Sequence, residues 1–136
     1  MAGGANPGVL SMRVLVVEDS VDAAEILGEL LGLWGHDVRL AHDGASALRA
    51  AREFRPQVIL LDIGLPDMDG YAVAHHLRGE DLGGALLVAL TGYVEAQDRA
   101  RARQAGFDRH LIKPVQPEAL QELFREAIDS SASGPA

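Results

Sequence analysis

Five polar side chains suited to chemistry stand at the ends of apolar runs. Glu18 and Asp19 follow Val14-Leu15-Val16-Val17, Asp62 follows Val58-Ile59-Leu60-Leu61, Thr91 follows Leu86-Leu87-Val88-Ala89-Leu90, and Lys113 follows Leu111-Ile112. Lys113 is the only lysine among twelve Lys and Arg residues. A lone acid after a strand is usually a helix cap or a solvated loop residue, and Asp19 or Ser20 suits the cap of a following helix. Five such positions on one rim form a different object. Two carboxylates about 4 Å apart repel by roughly 1 kcal/mol in water and about 4 kcal/mol at an effective dielectric near 20, so three acids need positive charge nearby. Hard oxygen donors in small number suit Mg²⁺, with Mn²⁺ as the close substitute. Lys113 offers a second positive charge, a compact point charge suited to a phosphoryl oxygen.

These residues converge only if the runs are parallel strands of one sheet. The runs at 14–17, 58–61 and 86–90 are short and almost wholly apolar, as strands buried on both faces are. Those at 37–41 and 109–112 mix polar and apolar residues, as edge strands do. Helical spacing links Ala24, Leu27, Leu30, Leu31 and Trp34 before Gly35; Ala47, Leu48, Ala51 and Phe54 before Pro56; and Leu120, Leu123, Phe124, Ala127 and Ile128 after Pro117. Shorter helices are predicted at 71–78 and 95–105. Strands alternating with helices predict an α/β fold, a doubly wound five-stranded parallel sheet. With the mixed strands outermost, the flavodoxin-like (βα)5 order 2-1-3-4-5 results, and ligands belong beyond the carboxyl ends of its strands.

Composition narrows the functions. The 136 residues fit one domain, with flexible tails expected at 1–11 and 130–136 around a domain at 12–129. The absence of cysteine excludes disulfides, thiolate metal sites and a cysteine nucleophile, and is compatible with the cytoplasmic location expected here. No apolar run is long enough to span a bilayer and no secretory signal opens the chain, so no membrane association is expected. A net charge of −8 disfavours direct contact with nucleic acid.

The stretches LVVEDS, LLDIGLPDMDG, ALTG and HLIKPV, in this order and each at a strand end, resemble the receiver domain of bacterial two-component response regulators, stand-alone or within a hybrid sensor kinase. The resemblance covers about residues 12–129. It implies that Asp62 is the phosphoacceptor. It implies Mg²⁺ on Asp19, Asp62 and the Gly64 carbonyl, with Glu18 acting through water, and phosphoryl oxygens held by Thr91 and Lys113. A cis Lys113-Pro114 peptide is implied as well. The phosphoryl donor would be a phosphohistidine on a histidine kinase or a histidine phosphotransfer protein, and the partner an unnamed downstream protein or a second copy in a weak or phosphorylation-dependent homodimer. No activity is implied beyond self-phosphorylation and slow self-dephosphorylation. Thr91 would then bias a switch in the surface of the fourth helix, fifth strand and fifth helix.

Two positions depart from or decorate that pattern. His110 stands three residues before the lysine, where the family generally carries a rotating aromatic; it is expected to alter the switch. Tyr93, two residues past Thr91, stands at a position that flanks the acyl phosphate in the family the chain resembles. In the loop after Asp62, turn chemistry accounts for Pro66, for Asp69 as a helix cap and for Gly70 as a residue of unusual backbone angle. Adjacent His75 and His76 face different ways on a helix and lack the spacing of a metal pair. Other functions fit less well. A haloacid-dehalogenase-like phosphatase wants a second acid at the position of Gly64, and a flavin domain wants an uncharged phosphate loop where this chain has Glu18-Asp19-Ser20-Val21-Asp22. A receiver-like fold that signals without phosphorylation would have no need of all five site residues.

Overall fold

The computed structural model describes residues 11–79, 84–92 and 96–132, with side chains at 96–99 and 129–132 left out. Strands and helices alternate: β1 (Arg13–Val17), α1 (Val21–Leu33), β2 (Asp37–Ala41), α2 (Gly44–Phe54), β3 (Val58–Asp62), α3 (Gly70–Arg78), β4 (Leu86–Thr91), α4 (Ala96–Ala105), β5 (Arg109–Ile112) and α5 (Pro117–Ala132). All pairings are parallel, in the order β2-β1-β3-β4-β5. This is the flavodoxin-like arrangement anticipated from the alternation. Every residue of β3 is buried, whereas β2 and β5 are partly exposed, as their mixed composition requires.

The two-residue period of the strands sorts the core into two layers. Leu15, Val17, Ile59, Leu61, Leu87 and Ala89 face α2, α3 and α4 through Ala47, Ala51, Val73, Leu77 and Ala102. Val14, Val16, Val58, Leu60, Val88 and Leu90 face α1 and α5 through Ala24, Leu27, Leu31, Leu120, Leu123 and Phe124. Burying a leucine-sized side chain contributes roughly 1.5–3 kcal/mol, so both layers favour a single register, and that register lines up the strands' carboxyl ends.

Local chemistry fixes where the helices begin. The Ser20 hydroxyl accepts the Ala23 N–H at 3.2 Å and caps α1. Asp43 and Ser46 form a capping box on α2. Asp69 caps α3 through the Tyr71 N–H at 2.9 Å. Asp67 adds a long-range cap: its carboxylate accepts the Gly44 N–H at 2.7 Å and the Ala45 N–H at 3.2 Å, tying the loop after β3 to the positive end of α2. Arg101 holds α4 to α3, its guanidinium 4.2 Å above the Tyr71 ring and 3.0 Å from Asp69.

Helix α5 continues to Ala132, three residues beyond the expected domain end at 129. One expectation needs correction. Gly70 has no left-handed backbone angle; a Cβ there would lie 2.5 Å from Ile63 Cα and 2.8 Å from Ile63 O. Glycine is needed at 70 because two backbone segments touch.

Candidate functional site

Glu18 and Asp19 leave the end of β1, Asp62 closes β3, Thr91 closes β4 and Lys113 follows β5. The shared register carries three of these segments to one point. Lys113 Nζ lies 2.8 Å from Glu18 Oε2 and 3.1 Å from Asp62 Oδ2. Glu18 and Asp62 are buried, Asp19 is exposed, and their donor oxygens come within 4.8 Å of one another. This set of hard carboxylate oxygens, open to solvent on the Asp19 side, fits a small divalent cation. The Gly64 N–H donates to Asp62 Oδ1 at 3.0 Å, so each Asp62 oxygen has a partner.

Burial and neighbours push the two buried acids apart. Burial, reinforced by the hydrogen bond to Asp62, raises the Glu18 carboxyl to about 7 against the pull of Lys113. Burial also acts to raise Asp62, but hydrogen bonds with Glu18, the Gly64 N–H and Lys113 outweigh it and hold Asp62 below the usual carboxylate range. The Lys113 ammonium, opposed by its own burial, is pulled upward by both acids. Near neutrality Asp62 is thus the anion and Glu18 the member of the pair that takes the proton.

A pH prediction follows. Glu18 has a folded-state value above its unfolded one, so the stability it contributes is complete below the ordinary carboxylate range and disappears as pH rises through about 7. Glutamine imitates the protonated side chain. In chelator-treated protein, Glu18→Gln should therefore be close to neutral at pH ~5 and stabilising by about 1–3 kcal/mol at pH ~8. Urea unfolding at both pH values measures this; a Glu18→Gln effect that does not change with pH would contradict it.

The remaining expected residues fall as follows. Thr91 is half-buried at the end of β4, paired in register with Ile112. His110 is half-buried on β5 opposite Ala89. The Lys113-Pro114 peptide is cis. Tyr93 lies outside the described residues. Rings of His75 and His76 sit 6.4 Å apart on the exposed side of α3. One neighbour escaped sequence reasoning altogether: His42, half-buried just after β2, has Nδ1 3.0 Å from the Glu18 carbonyl oxygen. Its only sequence signal is its place at the end of a strand next to β1.

Comparison with known proteins shows the family. The family model described as the response regulator receiver domain matches residues 14–125. The chain belongs to this family. The receiver is 35% identical over 127 residues to the DNA-binding response regulator MtrA of Mycobacterium tuberculosis, covering 93% of this chain and 55% of MtrA. It is 44% identical over 107 residues to the transcriptional regulatory protein PrrA of the same species, covering 79% of this chain and 46% of PrrA. The receiver thus spans about half the length of the curated relatives it matches. Among solved structures it superposes on the chemotaxis protein CheY4 of Vibrio cholerae with a TM-score of 0.82 at 26% identity, over 87% of this chain and 99% of that one. The receiver domain of the sensor histidine kinase PA1611 of Pseudomonas aeruginosa, solved with magnesium coordinated in its active site cleft, matches with a TM-score of 0.79 at 32% identity, over 89% of this chain and 100% of that one. No helix among the receiver's described residues is long and apolar enough to cross a membrane.

Proposed function

We propose that this receiver accepts a phosphoryl group on Asp62 from a phosphohistidine of a histidine kinase or histidine phosphotransfer protein. The observation that carries the proposal is the Lys113 ammonium 3.1 Å from an Asp62 carboxylate that is buried yet held anionic. A carboxylate oxygen attacks phosphorus as the bond from phosphorus to the donor imidazole nitrogen breaks. The electron pair leaves with the ring, and the product is an acyl phosphate. Such transfers depend on alignment and charge neutralisation more than on acid–base groups.

Asp19, Asp62 and the Gly64 carbonyl would hold Mg²⁺, with Glu18 acting through water; when bound, the ion neutralises phosphoryl charge. Lys113 exchanges its contact with Asp62 for a phosphoryl oxygen. The Thr91 hydroxyl follows another, and its displacement biases the surface made by α4, β5 and α5. His110 lies on that surface, with less volume than a tyrosine and with nitrogens that hydrogen-bond, so its part in the switch differs from that of an aromatic hydrocarbon edge. The net charge of −8 supports a protein partner over nucleic acid for this segment.

Incubation with a small acyl phosphate and Mg²⁺ should add one phosphoryl group, and chelation should prevent it. Borohydride reduction and peptide mass mapping should locate the label at Asp62. Labelling at another residue, or labelling unaffected by chelation, would overturn the proposal.

A further inference from the structure

We infer that His42 is a positioning residue for the acidic loop after β1, holding the Glu18–Asp19 peptide through a hydrogen bond from its Nδ1–H to the Glu18 carbonyl. The consequence for the metal rests on the proposed function; the placement of the peptide does not.

The β1–β2 ladder explains why a side chain is needed there. Val17 pairs with Ala41, and the ladder continues one step further as the Glu18 N–H donates to the Ala41 carbonyl at 3.0 Å. In a parallel ladder the Glu18 carbonyl would next receive the N–H of Asp43. That N–H has gone elsewhere. Asp43 is the N-cap of α2, and its N–H is directed at the Ser46 hydroxyl 3.4 Å away within the capping box. The start of α2 therefore removes the donor on which the last rung of the ladder depends. His42 Nδ1, 3.0 Å from the same carbonyl, occupies the missing donor's place.

Only one arrangement of the ring makes that contact attractive. A carbonyl oxygen accepts and never donates, so Nδ1 must carry the hydrogen. The Glu18 backbone is then held at both ends, its N–H by the Ala41 carbonyl and its own carbonyl, in the Glu18–Asp19 peptide, by His42. What this grip aims is consequential. The Glu18 side chain runs from it to Lys113 at 2.8 Å, and the next residue is Asp19, the exposed member of the acidic trio. Ser20, one residue on, is already committed to capping α1. The loop is thus pinned at Ser20 by α1 and at Glu18 by β2, and His42 is the side-chain half of the second pin. Partners that orient metal ligands influence affinity although they never touch the ion.

Three proteins and two readouts test this. Long-range ¹H–¹⁵N correlation of the wild-type ring at alkaline pH should show hydrogen on Nδ1. A ring hydrogen found only on Nε2 would overturn the inference whether or not any metal binds. In calorimetric titration with Mg²⁺, His42→Ala should bind roughly tenfold more weakly than wild type, while His42→Asn, whose amide places a donor near the position of Nδ1, should stay within about twofold. Equal affinity for wild type and His42→Ala would overturn it, as would an asparagine variant no better than alanine. Failure of the wild type to bind Mg²⁺ would instead sink the proposed function, leaving the ring-hydrogen result to decide the placement of the peptide.

Discussion

Exchange of Lys113 for methionine should slow phosphoryl uptake by about two orders of magnitude or more, the usual consequence of deleting one well-placed donor to a developing charge, and should at the same time tighten Mg²⁺ binding. The two effects have opposite signs because the ammonium plays two parts. Before reaction it is the internal counter-ion of Glu18 and Asp62, at 2.8 and 3.1 Å. An incoming cation must approach those same carboxylates against its repulsion. Two unit charges about 4 Å apart interact by roughly 4 kcal/mol at an effective dielectric near 20. Solvent on the Asp19 side reduces this, and a gain of about tenfold in affinity, or ~1.4 kcal/mol, is expected. During transfer the same ammonium faces phosphoryl oxygens, and methionine keeps the reach of the stem without the charge. Initial labelling rates at saturating Mg²⁺ and calorimetric titration measure the two parts, both above the pH of about 7 at which Glu18 ionises. A labelling rate equal to wild type would remove Lys113 from the chemistry. Weaker Mg²⁺ binding would show that it does not compete for the acids.

Gly70→Ala should destabilise the fold by about 3 kcal/mol, at the upper end of what overpacking usually costs. The new Cβ would stand 2.5 Å from Ile63 Cα, 2.8 Å from Ile63 O and 3.0 Å from Asp62 O. All three are main-chain atoms, so no rotamer change can relieve the contact. The Gly70 N–H also donates to the Ile63 carbonyl at 2.9 Å, and separating the segments would strain that bond. Gly32→Ala is the natural control. Gly32 lies in α1, an added Cβ meets nothing within 4 Å, and the change should stabilise by up to about 1 kcal/mol through helix propensity. Urea unfolding of both variants gives the comparison. Equal stability would mean that the close approach of Gly70 to Ile63 is not maintained in solution. Because the displaced atoms belong to Asp62 and its successor, labelling of Gly70→Ala should fall as well.

Much of this was legible in the sequence because the relevant signals are local. A strand buried on both faces has to be apolar throughout, so β1, β3 and β4 announced themselves, and the mixed runs of β2 and β5 identified the edges. The polar site residues stood out because each interrupts or follows such a run at its carboxyl end. What stayed hidden depends on partners distant along the chain. The need for glycine at 70 comes from Ile63 across a closed loop, whereas local reasoning offered only a backbone angle. The cap that Asp67 places on α2 joins residues 23 positions apart. The hydrogen bond from His42 to Glu18 spans 24. The ammonium of Lys113 was expected to offset the acids, but its contact with Glu18 rather than Asp62 alone needed coordinates. Residues 130–132 read as a tail because serine and alanine near a terminus suit either a tail or a helix.

Parallel connectivity has a consequence for how the molecule comes into being. In a sheet ordered β2-β1-β3-β4-β5 each strand is separated from the next in sequence by a helix, so the rim is assembled from pieces that leave the ribosome at different times. Glu18 and Asp62 are already available to be enclosed by β1, β2 and β3 when Lys113, beyond the last strand, has yet to be made. Until it arrives, water, protons or dissolved cations must balance the pair, since burying unpaired charge is strongly unfavourable. The central sheet can zip from its apolar strands, but electrical closure of its rim has to wait for β5. A nascent chain halted before residue 113 would hold its two acids at the end of finished strands with no ammonium to receive them.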